Sequence, residues 1–514
     1  VPTARKPIPL HPLLFGAYAV LFLYASNLSE TSADQVVPPL LAVVAAVGVL
    51  LLLGTLVLRD AARAAVLLSA FVIFFFGYRH VTIIAADSPI SGRPLQVLWL
   101  LIGVGAVLLA LRGGRELRIA TRALNAISAA LVIIALITIV PYEVNEFQQT
   151  GGDTAAVEPL PSVEPSGKPL RDIWVLVFDR YGSAESLKLG YGIDETFTPW
   201  LEEHGFHVSP GAHANYQRTS LSLASSLNLD YLQNLSQATK ASWLDDHAVG
   251  RFLTDLGYRY IHIGSQYGPT RSGVRATVNR RLEDASDFVT ALYDSSLAPS
   301  IAHRLGQGKL DPRRQRQFDW ASYELNALDE TLDEPGPKFV FAHLILPHPP
   351  YVFDAEGNAV PDDVSKKQST AENYEQQKLY LNARIKKLLE PLLAKPEAER
   401  PIIVLMADEG PYPKRYEGDP QIQGHDPDFD WKSVTDEELR IKFGILHAML
   451  LPGIDDADVP TEMTSVNTFR FLFDEYFDAG LPLRENNVYI PISGEYVDVA
   501  DRLGVKKDPG GATP

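Results

Sequence analysis

Long apolar stretches open the chain, and short apolar runs punctuate the remainder. Residues 10–28, 36–58, 64–85, 94–111 and 119–140 are nearly all apolar. A helix needs about 20 such residues to cross a hydrocarbon core, so each stretch predicts a transmembrane helix. One cleaved leader does not account for five of them. Lys and Arg sort between the loops. Arg5 and Lys6 precede the first stretch, Arg59 and Arg63 separate the second from the third, and Arg112, Arg115, Arg118 and Arg122 separate the fourth from the fifth. The alternate loops hold Glu30 and Asp34, then Asp87 and Arg93. Basic loops stay on the cytoplasmic side. The expected topology is therefore multi-pass, with a cytoplasmic N-terminus and everything after Val140 outside. Arg79 and His80 lie inside the third stretch. They read either as a functional intramembrane pair or as side chains that snorkel to the interface.

The pattern then changes twice. Residues 148–170, "QQTGGDTAAVEPLPSVEPSGKPL", are rich in Pro, Gly, Ser and Glu and lack apolar periodicity, as a tether does. Beyond it come short runs rich in β-branched and aromatic residues at 172–179, 258–265, 338–346, 401–408 and 442–453. Runs apolar on both faces predict strands buried on both faces, hence a mainly parallel sheet. Helical patterns lie between them at 219–232, 371–394 and 465–477, and residues 266–335 read as an irregular, mixed insertion. The expected fold class is α/β: a five-helix transmembrane domain over 1–147, a linker over 148–170, and a catalytic domain over 171–514.

Composition narrows the function. The 514 residues carry a formal net charge of −17 and no cysteine. Nucleic acid is not an expected partner, because phosphate neutralisation needs clustered Lys and Arg. Cysteine chemistry and Cys-based metal sites are excluded. No Gly-rich phosphate loop, GxSxG elbow or HExxH helix is present.

Ligands of an open parallel sheet bind beyond the carboxyl ends of its strands. Asp179 ends the first run in "VFDRYGS", His348 follows the run at 338–346, and Asp408 and Glu409 end "PIIVLMADEG". Thr219 opens a helix. Each has a plain alternative: a strand-end Asp is a turn residue, a helix-start Thr is a cap, and a histidine between prolines is structural. Together they outline a chemistry. Asp179, Asp408 and Glu409 can hold a hard divalent cation through oxygen. A cation beside Thr219 would activate its hydroxyl as a nucleophile. His348 would bind a substrate anion or protonate a leaving oxygen. His343 lies inside its strand and reads either way, His425 is a loop histidine or a replacement ligand, and His447 reads as a core histidine.

These motifs, "VLVFDRYGS", "NYQRTSLSLASSLNLDYL", "FAHLILPHPPYVFD" and "VLMADEGPYP", resemble the sulfatase-like branch of the alkaline phosphatase superfamily. In architecture the chain is similar to lipoteichoic acid synthases and lipid A phosphoethanolamine transferases. The resemblance implies a bacterial cell-membrane protein with an extracytoplasmic alkaline-phosphatase-like domain. It implies Asp179 and Asp408 as metal ligands and Thr219 as a nucleophile that also faces the metal. Ser220 and Leu221 follow Thr219, which departs from the Pro and Arg pattern of formylglycine sulfatases. The late strand of the family ends in Asp-His or Asp-Asn, whereas here it ends Asp408–Glu409. With Glu409 as a ligand, one divalent cation is expected, with manganese, magnesium or calcium favoured over zinc. The implied partners are membrane lipids and an envelope lipid or glycan substrate carrying a phosphate or sulfate ester. Two rivals remain: an inactive module that binds envelope glycans, and a transport-linked membrane protein.

Overall fold

The computed structural model describes residues 7–28, 31, 33–84, 93–112, 114–151, 160, 170–235, 242–283, 287–299, 301, 312–414 and 430–509. The chain forms two compact units, Val1–Gly152 with Asp284–Gly308, and Asp153–Glu283 with Lys309–Pro514.

In the first unit, α1 (His11–Ala25), α2 (Ala33–Leu58), α3 (Ala61–Ile84), α4 (Arg93–Arg112) and α5 (Gly114–Gly151) fall on the apolar stretches. Among the described residues, Gln35–Leu58 and Glu116–Val144 are long and apolar enough to cross a membrane; His11–Ala25, Ala61–Gly77 and Val97–Arg112 are shorter apolar helices. Polar side chains lock the bundle. Asn125 of α5 accepts from Leu10 N and His11 N at 3.0 and 2.9 Å and donates to Ile8 O at 2.8 Å. Leu52, Leu56, Leu100 and Ile137 are 60–66% exposed. Apolar faces on this scale mark contact with lipid or protein rather than water. Residues 284–308 group with these helices although they interrupt the sequence of the second unit. There Phe288 and Leu292 of the helix Asp287–Asp294 are buried with Leu23, Tyr24 and Val36. Arg79 and His80 fall within α3, but their side chains lie outside the described residues.

The second unit is built on a seven-stranded sheet of order β2-β7-β6-β1-β5-β3-β4. Its strands are β1 (Ile173–Asp179), β2 (His207–Val208), β3 (Arg259–Ile263), β4 (Val278–Arg280), β5 (Lys338–Pro347), β6 (Ile402–Ala407) and β7 (His447–Leu450). The pairs from β6 to β4 are parallel, and β7 and β2 add antiparallel pairs at one edge. The expected strand at 442–453 is thus shortened and reversed. A capping box between Thr435 and Glu438 starts a helix, Asp436–Phe443, which takes Lys442 and Phe443 out of the strand. The insertion proves ordered in part, with a 19-residue helix, Pro312–Glu330.

β1 is buried along its whole length, as its all-apolar run requires. Trp174, Leu176 and Phe178 face one core with Leu381, Ile385 and Leu388 of the helix Thr370–Leu393. Ile173, Val175 and Val177 face the other with Leu223 and Leu227 of the helix Thr219–Leu227 and Phe469 and Phe473 of the helix Ser465–Phe477. Each such side chain gains about 1.5–3 kcal/mol on leaving water, which holds three layers in register.

Candidate metal centre

Side chains alternate faces along a strand, and this period assembles the site. Val177 lies on the face that packs against the helix Thr219–Leu227, so Asp179, two residues on, shares that face. Phe339 and Phe341 of β5 lie there too, so His343 follows them. Val404 and Met406 of β6 extend the row to Asp408. The pairing Val177↔His343 and Phe178↔Ala407 brings the three strands level.

Asp179, His343 and Asp408 each offer one ligand atom, and these atoms lie within 4.8 Å of one another. His343 Nε2 and Asp408 Oδ2 are 3.9 Å apart, too far for a hydrogen bond. Asp179 Oδ1, His343 Nε2 and Asp408 Oδ2 are buried without a hydrogen-bond partner. Buried orphan acceptors are costly. Converging orphans of this kind suit a cation, and one nitrogen with two carboxylates is a donor set for a divalent transition metal.

The other half of Asp408 is fully used. Its Oδ1 accepts from Arg180 N at 3.0 Å and Glu409 N at 2.7 Å, and the nearby Thr219 hydroxyl helps to stabilise the carboxylate's charge. Thr219 is the first residue of its helix; Arg218 occupies the cap position, and no side-chain cap bond forms. The plain capping role does not apply, which leaves the hydroxyl facing Asp408 at a helix N-terminus.

Glu409 turns elsewhere. Its Oε1 meets Arg180 Nε and Lys442 Nζ, each at 2.9 Å, while Oε2 is orphaned. The Tyr412 ring lies under both cations, at 4.5 Å from Arg180 and 3.8 Å from Lys442. Arg180 holds a left-handed backbone, φ 63°, directly after Asp179. His348 Nδ1 pairs with Pro349 O, and Gln377 Nε2 donates to His348 O at 3.0 Å.

Charge states follow from burial. It pushes Asp179 well above the usual carboxylate range, with the Asp408 charge adding to it. Burial and then Glu409 raise Asp408 to about 7. Burial lowers His343 to about 3, and burial followed by the Arg180 charge holds His348 well below its ordinary value. Burial thus favours the protonated, uncharged forms of Asp179 and Asp408, whose protons a cation would displace, and keeps the histidines neutral, as ligands and bases must be.

Asp179, Thr219 and Asp408 therefore come together as expected from sequence. Glu409 is adjacent but paired with cations, and His348 sits near Arg180, Lys442 and His343. His447 bonds Thr468 Oγ1 at 2.9 Å, as a core histidine does. His425 falls within 415–429, outside the described residues. Arg180, Lys442 and Tyr412 were not legible in the sequence. The sequence left His343 open, and the signal that could have found it is its two-residue spacing from Phe341, on the face that Asp408 shares.

No family model and no curated protein matches the chain. Among solved structures it is similar to the C-terminal periplasmic domain of EcEptC from Escherichia coli in complex with Zn, at 14% identity and TM-score 0.43, covering 68% of this chain and 100% of that one. It is similar to the integral membrane protein lipooligosaccharide phosphoethanolamine transferase A from Neisseria meningitidis, at 15% identity and TM-score 0.42, covering 90% and 93%. It is also similar to the phosphonate monoester hydrolase of Agrobacterium radiobacter, at 11% identity and TM-score 0.37, covering 62% and 75%.

Proposed function

We propose that this chain is a membrane-anchored, metal-dependent transferase or hydrolase of phosphate or sulfate esters, with Thr219 as its nucleophile. The observation that carries the reading is the trio of orphaned ligand atoms on Asp179, His343 and Asp408, beside a Thr219 hydroxyl that caps nothing. Asp179, His343, Asp408 and Thr219 would hold one divalent cation. An imidazole in the set moves the preference towards zinc or manganese, away from the all-oxygen set in which Glu409 was a ligand. When bound, the ion supplies positive charge that lowers the pKa of the Thr219 hydroxyl and polarises the ester.

The chain's own residues do the rest. Thr219 Oγ1 bonds to phosphorus or sulfur as the bond to the departing ester oxygen breaks. That oxygen takes up a proton in place of the one Thr219 gives up. A second hydroxyl, from water or an acceptor, then attacks the Thr219 ester and restores the threonine. Its proton passes by way of His348 Nε2, which carries the lone pair because Nδ1 is engaged with Pro349 O, to the departing Thr219 Oγ1, so that both side chains return to their starting states. Arg180 and Lys442, held by Glu409, would offset the anionic oxygens in flight. The substrate class, an envelope lipid or glycan, rests on the sequence resemblance. The topology of five spans with the N-terminus cytoplasmic and the sheet unit outside rests on the apolar stretches and on where Lys and Arg fall between them.

The test is turnover of bis-p-nitrophenyl phosphate and p-nitrophenyl sulfate by the full chain with manganese or zinc. Thr219→Ala is expected to lower kcat on the order of 10³-fold or more, and a chelator to abolish it. Turnover that survives Thr219→Ala rules out Thr219 as the nucleophile.

A further inference from the structure

Behind His343 runs a buried hydrogen-bond chain whose directions can be assigned from its far end. Gly250 N donates to His247 Nδ1 at 2.9 Å, as part of a helix cap. The His247 ring is neutral, since burial lowers it to about 3, so its proton is on Nε2. That Nε2–H meets Tyr260 Oη at 3.1 Å. Tyr260 must then donate onward, to His262 Nδ1 at 3.0 Å. His262 is therefore protonated on Nε2, which donates to Thr270 O at 2.9 Å. Ser265 N donates to the same carbonyl at 3.2 Å. Thr270 is pinned by its backbone, and its Oγ1 lies 2.9 Å from His343 Nδ1.

The Thr270 hydroxyl has acceptors of its own. Ser265 Oγ is at 2.8 Å and Tyr267 O at 3.5 Å. With its proton sent there, Oγ1 accepts from His343 Nδ1–H. His343 Nε2 is then a lone pair facing the two aspartates. The opposite tautomer would aim an N–H at Asp408 from 3.9 Å, beyond hydrogen-bond reach. The row is packed as well as bonded. His247 and His262 lie against Phe341, two residues before His343, with ring centroids at 5.8 and 5.4 Å. A Cβ on Gly273 would come 3.0 Å from Tyr260 Oη and 3.1 Å from His262 Nδ1, so any side chain there would press on the row.

We infer that Thr270, backed by His247, Tyr260 and His262, is the positioning residue that fixes the His343 ring and its tautomer for metal binding. The three residues behind act on Thr270 by holding its place, and Thr270 acts on His343 by accepting its Nδ1 proton. Partners of this kind typically change metal affinity by about 10–100-fold. The inference rests on the metal reading above, and the test separates the two.

Two measurements on the full chain are combined. In metal-free protein labelled with ¹⁵N-histidine, His343 is expected as the Nδ1–H tautomer, and His247 and His262 as Nε2–H, each assigned by its own His→Gln variant. Zinc and manganese affinity by equilibrium dialysis is expected to fall about 10–100-fold in Thr270→Val. Thr270→Ser, which keeps the oxygen, should restore most of it, with thermal melting checking that each variant is folded. Tyr260→Phe should give an intermediate loss. A His343 protonated on Nε2, or wild-type affinity in folded Thr270→Val, overturns the inference. If the wild type binds no ion, the metal reading fails, and the tautomer spectrum alone decides this one.

Discussion

Glu409 occupies the place where the resemblance calls for a metal-facing histidine or asparagine, yet its carboxylate is held by Arg180 and Lys442. The adjacent acids looked equivalent in sequence, but alternation sends Asp408 to the Thr219 face and leaves Glu409 to the next residue's geometry. A nitrogen beside Asp179 and Asp408 comes from another strand instead, as His343. A half-buried acid elsewhere, Asp245, carries a pH signature. Burial, with Asp246 adding to it, raises Asp245 to about 6, and its Oδ1 has no partner. Below pH about 4 both folded and unfolded chains keep this proton. Between about 4 and 6 the folded chain keeps a proton that the unfolded chain has lost, so stability falls as pH rises, then levels. Asp245→Asn should therefore raise stability by about 2 kcal/mol at pH 8 and leave it unchanged at pH 4. Thermal melts at the two values check this; equal gains at both would contradict the assigned cause.

At the scale of elements, the strands legible in sequence were those buried on both faces, because a continuous apolar run admits little else. β1, β5 and β6 lie where the pattern put them. Less was legible where local chemistry competed with the run. The Thr435–Glu438 capping box captured Lys442 and Phe443 for a helix, and this is what delivers Lys442 to Glu409. The turn after β6 makes a second demand. Gly410 N donates to Lys442 O at 2.8 Å, and a Cβ at Gly410 would lie 2.4 Å from Ile441 O and 2.9 Å from Lys442 O. Backbone on both sides cannot yield cheaply. Gly410→Ala is expected to push the β6 end off the helix Asp436–Phe443 and to lower the melting temperature by several degrees or more, since overpacking costs about 1–3 kcal/mol. A wild-type melting temperature would show that the turn has slack.

For the whole molecule, the proposed function divides anchorage and chemistry between the apolar helices and the sheet unit. The sequence suggests such a division because hydropathy changes abruptly past residue 147. That residues 284–308 group with the helices was not legible, because the apolar residues there, Phe288 and Leu292 among them, are interspersed with polar ones and form no continuous run. The absence of cysteine makes topology directly testable. Ala398→Cys, on the sheet unit, should be labelled by a membrane-impermeant maleimide in intact cells, whereas Arg59→Cys, between α2 and α3, should be labelled only after permeabilisation. The reverse pattern would invert the proposed orientation. The central claim is that Asp179, His343 and Asp408 hold a metal while Glu409 holds the cations beside it. The most direct measurement is the metal content of the full chain by elemental analysis after dialysis against zinc or manganese. A single ion per chain is expected in the wild type and in Glu409→Gln, and its loss in His343→Ala. An ion kept by His343→Ala and lost by Glu409→Gln would contradict the claim.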